Sequence, residues 1–369
     1  MVTKDLTNES IEGEPRSPRR PVTLKTISDQ VGLSVGTISA VLNDSPAARH
    51  IPQETRDRIL ASARALEYRP NFFARTLRNK RTFTVGVIAH EIGDAYSSLV
   101  IAGIEKLVRE RNYSFLTGIH RHKPELFEQY CNEFLQRGAE GIITVDYNFD
   151  HGMTIPTVAV GGHPRHEGVT NIILDHTSAA ALALQHFTRL GHRKIAFMKG
   201  HPASSDAVTR WQAICDVAHK MGLEIDPSLA IQIESEESSP HVGYAYANKL
   251  LEGGLRFTAL FAFNDIMALG AMRAFQAAGY GVPGDVSVMG FDDIALGEFH
   301  YPSLTTVRQP LQQMGAIAVQ ILLERIEGGK AASQEIAIQP ELVERESTAR
   351  VSGERLALQQ TSFPARSAS

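Results

Sequence analysis

The chain has 369 residues, beyond the ~100–200 that one ordinary core organises, and its 43% hydrophobic and 21% charged content is that of a soluble globular protein. No apolar run approaches the ~18 residues of a membrane span, residues 1–21 lack the apolar stretch of a secretory signal, and Cys131 and Cys215 are too few for a disulfide framework, so the cytoplasm is the expected compartment. The net charge of −4 hides a division: residues 16–82 carry 13 Lys+Arg against 5 Asp+Glu (+8), whereas residues 83–369 carry 23 against 32 (−9). A basic front of this size fits a polyanion partner or a merely solvated surface, and motifs must separate the two.

Residues 1–21, with Pro15, Pro18 and Pro21 among charged and small polar residues, cannot offset the entropy of ordering and read as a disordered arm. From Thr23 helical spacing begins: Thr23 caps a helix with Leu24, Ile27 and Val31 on its apolar face, and Gly32 ends it. Ser34 caps a second short helix carrying Val35, Ile38, Val41 and Leu42, and Pro52 stands where a first-turn proline opens a third with Ile59, Leu60, Ala63 and Leu66. Residues 22–68 thus form an all-α unit, and the basic stretch 69–82 reads as a hinge.

Beyond Thr84, apolar strand-like runs alternate with helical patterns. Strands are expected at Val85–Ala89, Gly141–Val145, Thr157–Val160, Lys194–Met198, Leu260–Ala262 and Val286–Met289. Helices are expected near Ser97–Arg111, Ala179–Leu190, Thr209–Met221 and Ile266–Ala278. This alternation predicts a parallel α/β sheet with helices on both faces, and the length suffices for two such lobes over 83–350, followed by a tail at 351–369.

The segment Thr23–Asn43, TLKTISDQVGLSVGTISAVLN, has helix-turn-helix spacing: two short helices about a tight glycine turn. Its apolar residues lock the pair and leave the start of the second helix free for a major groove. Ser34, Val35, Gly36, Thr37, Ser39 and Ala40 are the candidates to face DNA, with Thr23 and Asn43 at the ends of the motif; the competing reading is a structural helix pair. Two catalytic-looking strings fail on context. Gly32-Leu33-Ser34-Val35-Gly36 matches a nucleophile elbow but follows a helix rather than a strand. Gly279-Tyr280-Gly281-Val282-Pro283-Gly284 matches a dinucleotide fingerprint but leads from helix to strand, the reverse of the required order. Among fourteen histidines, the pairs His120/His122 and His163/His166 lack a metal-binding context and read as surface or turn residues. No catalytic group, cofactor or metal is assigned.

The headpiece resembles that of the LacI/GalR family of transcription regulators, and the resemblance runs from about residue 22 to 350. It is carried by the helix-turn-helix, by Tyr68-Arg69-Pro70-Asn71-Phe72-Phe73-Ala74-Arg75-Thr76-Leu77, by Gly191–Ala196, Phe263–Ala268 and Val288–Asp293, and by Tyr301–Pro310. It implies a helix-turn-helix headpiece and hinge helix before a two-lobed, periplasmic-binding-protein-like α/β effector domain. It also implies a homodimer on a pseudo-palindromic operator, and Leu77 takes by match the place of the leucine wedged into the minor groove. The tail has no sustained heptads to support a coiled-coil tetramer. Where family members often carry a long polar reader, commonly arginine, this chain has Ala40, which offers only apolar contact.

Ligands of open α/β lobes sit outside the carboxyl ends of the strands, so the cleft between the lobes is the expected pocket. Asp94 and Tyr96 follow the first strand, and by resemblance Arg210, Asp265 and Asp292 fall where relatives contact small effectors. Each has a structural alternative: Asp265 as a helix cap, Asp292 as a turn holder, Arg210 in an interlobe ion pair. The expected function is a DNA-binding repressor controlled by a sugar or related metabolite. A solute-binding protein and, behind it, an α/β enzyme are the rivals.

Overall fold

The computed structural model describes residues 22–43, 45–68, 81–252, 254–329 and 335–352, which divide into two compact units, 1–81 and 82–369. The expected arm, the hinge positions 69–80 with Leu77, and all but the first two tail residues lie outside the described residues.

In the first unit, α1 (Leu24–Val31) and α2 (Val35–Leu42) are followed by a 3-10 turn, Pro46–His50, and by α3 (Gln53–Ala65). Thr23 Oγ1 accepts from the Thr26 amide while Thr26 Oγ1 accepts from the Thr23 amide, so two first-turn donors are satisfied reciprocally. Gly32, at φ 73°, takes the left-handed conformation that ends α1 and turns the chain into α2. Ile27, Ile38, Val41, Ile59 and Ala63 form the buried centre. Pro52 stands one position before α3, as its N-cap residue, rather than inside the first turn.

The second unit contains two six-stranded sheets. The first lobe uses β1 (Thr84–Ala89), β2 (Ser114–Ile119), β3 (Ile142–Val145), β4 (Thr157–Val160), β5 (Val169–Leu174) and β11 (Glu335–Ile338), all parallel, in the order β11-β5-β4-β3-β1-β2. Helices α4 (Ala95–Glu110) and α11 (Leu311–Ile326) cover one face and α5 (Pro124–Gln136) the other. Every residue of β1 is buried: Val85, Val87 and Ala89 face α4 and α11, while Ile88 joins Phe127 and Phe134 of α5. Gly103 and Gly315 let α4 and α11 touch, since a Cβ at either would collide with the opposing backbone.

The second lobe orders β12 (Glu341–Val343), β10 (Thr305–Arg308), β9 (Ser287–Asp292), β8 (Ala259–Phe261), β6 (Ile195–Lys199) and β7 (Ala230–Gln232) in that sequence, with only β12 antiparallel. Helices α6 (His176–Arg189) and α7 (Ser205–Lys220) pack on one face, α8 (Pro240–Leu251) and α9 (Asp265–Ala277) on the other, and the short α10 (Ala295–Phe299) follows β9. The chain crosses between lobes three times, after β5, between β10 and α11, and between β11 and β12. In each sheet the strand order reverses once, between β1 and β3 and between β6 and β8. These switch points open crevices at the carboxyl ends of the strands.

Candidate nucleic-acid interface and effector cleft

On the headpiece, Ser34, Val35 and Gly36 are exposed, Thr37, Ser39 and Ala40 half-buried, and Ile38 and Val41 turn inward. Ser34 Oγ accepts from the Thr37 amide at 3.1 Å, so it is the cap of α2, preceded by a helix and not by a strand. Val35 leaves 42% of its surface in solvent, and a Cβ on Gly36 would meet only Ser34 Oγ, at 3.7 Å, so backbone can approach a partner closely there. Asn43 closes the helix by donating from Nδ2 to Ser39 O at 2.7 Å, and Thr23 is exposed at the start of α1. The face presents small and uncharged side chains only.

In the second unit a cleft of about 630 Å³, including its mouth, lies where the two switch points meet. Asp94, Tyr96, Arg210 and Asp292 all line it, as do Ser97, His122 and Asp146. Asp265 does not. It is 1% exposed, and its carboxylate accepts from Thr306 Oγ1 at 2.6 Å and from the Ile294 amide at 2.8 Å, which ties α9 to β10 and the loop after β9. The residue that caps α9 and reaches the cleft is Asn264, one position earlier. Burial is the main cause that lifts the Asp265 carboxyl to about 7.

Arg210 is held through both terminal nitrogens and against two aromatic rings, while its buried Nε has no hydrogen-bond partner. Nη1 donates to Phe263 O at 2.7 Å, Nη2 meets Asp206 Oδ2 at 3.5 Å, and the guanidinium lies over the rings of Phe291 and Phe263, 3.7 and 4.5 Å from their centroids. Asp206 Oδ1 also accepts from Nε2 of His163 (2.6 Å) and of His176 (3.1 Å). Burial by itself would raise the Asp206 carboxyl, but His176, His163 and Arg210 together hold it well below its usual range. Asp292 shows the opposite balance: burial, reinforced by Asp265 and Asp94, raises it well above, against Arg210 and a 2.6 Å hydrogen bond from Gln309 Nε2. Its φ of 109° is a conformation that side-chain-bearing residues rarely adopt, as befits a functional bend.

Sequence reasoning missed the interlobe seam. Asp146, directly after β3, accepts through Oδ1 from the Ser205 amide (2.7 Å), Ser205 Oγ (2.6 Å) and Ser204 Oγ (3.2 Å) at the start of α7, binding one lobe to the other. The rule that ligand-facing groups follow strands, which selected Asp94, would have selected Asp146 too.

Of the histidines expected at the surface or in turns, His122 lies in a turn and His163 and His166 are half-buried in loops, but His120 is in neither place. His120 is fully buried, and its Nε2 donates to Val145 O (3.0 Å) while Nδ1 accepts from the His122 amide (3.0 Å). His163 joins Asp206, and His166 bonds Phe149 O at 2.8 Å. The nitrogens of His90, His120 and His122 come within 4.8 Å of one another. However, both His120 nitrogens are engaged, and the His90 and His122 rings stack at 3.9 Å with 19° between planes, so their in-plane lone pairs run side by side rather than converging on an ion. In the second such group, His163, His176 and Asp206, the hydrogen bonds just given satisfy the converging atoms.

A helix-turn-helix unit with a free reading face, followed in the same chain by a two-lobed α/β body around a charged cleft, defines the class of DNA-binding regulators that carry an effector domain. Residues 23–71 match the model of bacterial regulatory proteins of the lacI family, and residues 184–348 match a periplasmic binding protein-like domain. The HTH-type transcriptional repressor PurR of Haemophilus influenzae is 31% identical over 337 residues, 88% of this chain and 98% of that protein. Among solved structures, the Lac repressor dimer bound to operator and the anti-inducer ONPF superposes with a TM-score of 0.79 at 26% identity, covering 89% of this chain and all of the other. The transcriptional regulator CelR in complex with cellobiose gives 0.64 at 26%, with the same coverage. The chain belongs to the LacI family of transcriptional regulators. PurR and the Lac repressor are named as repressors and CelR as a transcriptional regulator, and no helix among the described residues is long and apolar enough to cross a membrane.

Proposed function

We propose that the protein acts in the cytoplasm as a homodimeric, non-enzymatic repressor on a pseudo-palindromic operator, and that a sugar or related metabolite in the cleft sets its DNA affinity. One observation carries the reading: Asp292, on the cleft wall, is hydrogen-bonded by Gln309, on the segment that crosses from β10 to α11. A ligand hydroxyl at Asp292 competes with or reinforces that bond, so occupancy reaches the lobe angle through a single contact. Coupling of ~1–3 kcal/mol gives about 5–150-fold regulation, and the same factor acts from DNA back on the ligand. Asp94, Tyr96, Arg210 and Asp292 form the ligand-facing set, and Asp265 supports it from behind. A second copy is favoured by the exposed Leu296, Phe299 and Tyr301, 54%, 82% and 85% accessible, which stand together in and just after α10.

On the headpiece, Val35, Gly36, Thr37, Ser39 and Ala40 read bases, Thr23, Ser34 and Asn43 sit at its edges toward phosphate, and Leu77 of the hinge wedges the minor groove. Ala40 forgoes the bidentate guanine contact that is worth ~1–3 kcal/mol in arginine-bearing readers. Binding-site selection is therefore expected to return no strong guanine requirement opposite Ala40; a strong one overturns that placement.

The test of the whole reading is a titration of operator candidates, DNA upstream of the gene and of neighbouring sugar genes, with and without a panel of sugars and sugar acids. Specific, salt-sensitive binding altered by one ligand is expected. DNA binding that stays nonspecific while a sugar changes Trp211 emission favours a solute-binding protein instead, and turnover of the ligand favours an enzyme.

A further inference from the structure

The cleft has an electrostatic asymmetry that narrows its ligand. Its lining carries Asp94, Asp146, Asp206, Glu236, Glu237 and Asp292, against Arg210 as the one Arg or Lys among the described residues that line it. That arginine is committed through Nη1 and Nη2 to Phe263 O and Asp206 and stacks on two aromatic faces, and only its buried Nε is left without a hydrogen-bond partner. Helix N-termini are the other usual anchor for phosphate or carboxylate. Three border this cleft, and each is capped by the protein's own side chain. Asp94 Oδ1 accepts from the Ser97 amide of α4 at 2.8 Å, Asp146 Oδ1 from the Ser205 amide of α7, and Asn264 Oδ1 from the Met267 amide of α9 at 2.9 Å. An incoming anion thus meets carboxylates at two of these ends and an occupied amide at the third.

At the α4 end, polar atoms are left over. Asp94 Oδ2 and Ser97 Oγ are buried and make no well-formed hydrogen bond within the protein, and neither does His90 Nδ1 beside them; Ser97 is 1% exposed and all three residues line the cleft. Asp94 Oδ2 can only accept, whereas the Ser97 hydroxyl can donate as well as accept. Burial raises the Asp94 carboxyl against the pull of Ser97 and His90, with Asp146 adding repulsion, and Asp206, Asp146 and Asp292 all act, after burial, to raise the Tyr96 hydroxyl. A positive charge placed among these groups relieves that repulsion.

Resting on the reading of the cleft as the effector site, we propose that it selects a polyhydroxylated ligand bearing a protonated amine, docked at Asp94 Oδ2 and Ser97 Oγ, and rejects phosphorylated or carboxylated relatives. The test titrates the full-length protein with matched sets on several skeletons, read by calorimetry and Trp211 emission: glucose, glucosamine and glucose 6-phosphate; the galactose equivalents; adenosine and its 5′-monophosphate. In whichever sugar series binds, the amine is expected tightest, about tenfold over the neutral sugar, as suits a hydrogen bond between charged groups, with the phosphate weakest. Asp94→Asn, which keeps a capping side chain on α4, is expected to abolish the amine advantage, so that the amine and the neutral sugar bind within about threefold of each other whatever the change in overall affinity. Ser97→Ala reduces the same advantage without touching the cap. A phosphate ester that binds tighter than its neutral parent overturns the proposal and leaves the effector reading intact. If no sugar binds but adenosine does and its monophosphate does not, the sugar reading fails and rejection of anions holds. Binding by none of these probes overturns both.

Discussion

The two working surfaces of this regulator are built on opposite physics. The reading face of the headpiece is exposed, small and uncharged, resting on a core of five buried apolar residues; the cleft is enclosed, dense in carboxylates, and backed by four large apolar clusters. The face can gain specificity from shape and methyl contacts, but its affinity has to come from basic residues elsewhere in the front of the chain. The cleft instead holds its charges in mutual check, and a ligand enters by replacing one of the checks. Stability should therefore fail in different ways in the two places.

The largest effect is expected at Asp206. Asp206→Ala strips His163, His176 and Arg210 of a common buried partner, and a loss of about 3–5 kcal/mol is expected in the body, with the headpiece transition unmoved. Domain-resolved thermal or urea unfolding checks this; a loss below about 1 kcal/mol would mean that the seam is solvated and the contrast with the headpiece is false. Ile38→Ala opens a cavity in the small headpiece core and is expected to cost about 2–5 kcal/mol there. DNA binding should vanish while ligand-induced change in Trp211 emission persists. A simultaneous fall in the body's midpoint would show that the two units unfold as one.

Acid sharpens the contrast at smaller amplitude. Burial depresses His120, His122, His176, His186 and His192, with His122 and His192 at about 4, so between about pH 4 and 6.5 the folded body binds fewer protons than the unfolded chain. Its stability is complete above that window and declines as pH falls through it. Asp265, lifted to about 7, works the other way, as do the raised Asp94 and Asp292, each costing stability as pH rises, so they offset part of the histidine effect. The body's melting temperature is expected to drop between pH 6.5 and 4. His192→Gln, which cannot take up the charge, is expected to flatten the slope by up to roughly 2–3 kcal/mol. The headpiece, whose described histidine His50 is exposed, should not follow. Equal acid sensitivity in both units would remove burial as the cause.

This contrast also governs what could be read from the chain. The headpiece was legible because its signals are local: Thr23, Gly32 and Ser34 act on amides within a few residues. Much of the alternation of strands and helices in the body was legible by periodicity, yet β2, β5, β7, β10, β11 and β12 and helices α5, α8, α10 and α11 were not. β2 lies at a sheet edge with a mixed pattern, and α11 is apolar on most sides because it is wedged between α4 and the sheet. Of the cleft, the strand-end rule and the family resemblance picked out Asp94, Tyr96, Arg210 and Asp292, which line it from both lobes. They misjudged Asp265, because a carboxylate behind a wall and one on it look alike in sequence. Asp146 was within reach of the strand-end rule and Asp206 stands one helical turn before Arg210, but their partners Ser205 and His163 lie 59 and 43 residues away, and no local spacing announces those two pairs.

The threefold crossing between the lobes has a consequence during synthesis. The headpiece can close its core once residue 68 has left the ribosome, whereas the first lobe waits for α11 and for β11, which ends at Ile338. At ~5–20 residues per second, that interval is roughly 15–50 s, during which the apolar face of β1 and α4 has no cover. The unit that reads DNA therefore exists, on every nascent chain, well before the unit that restrains it.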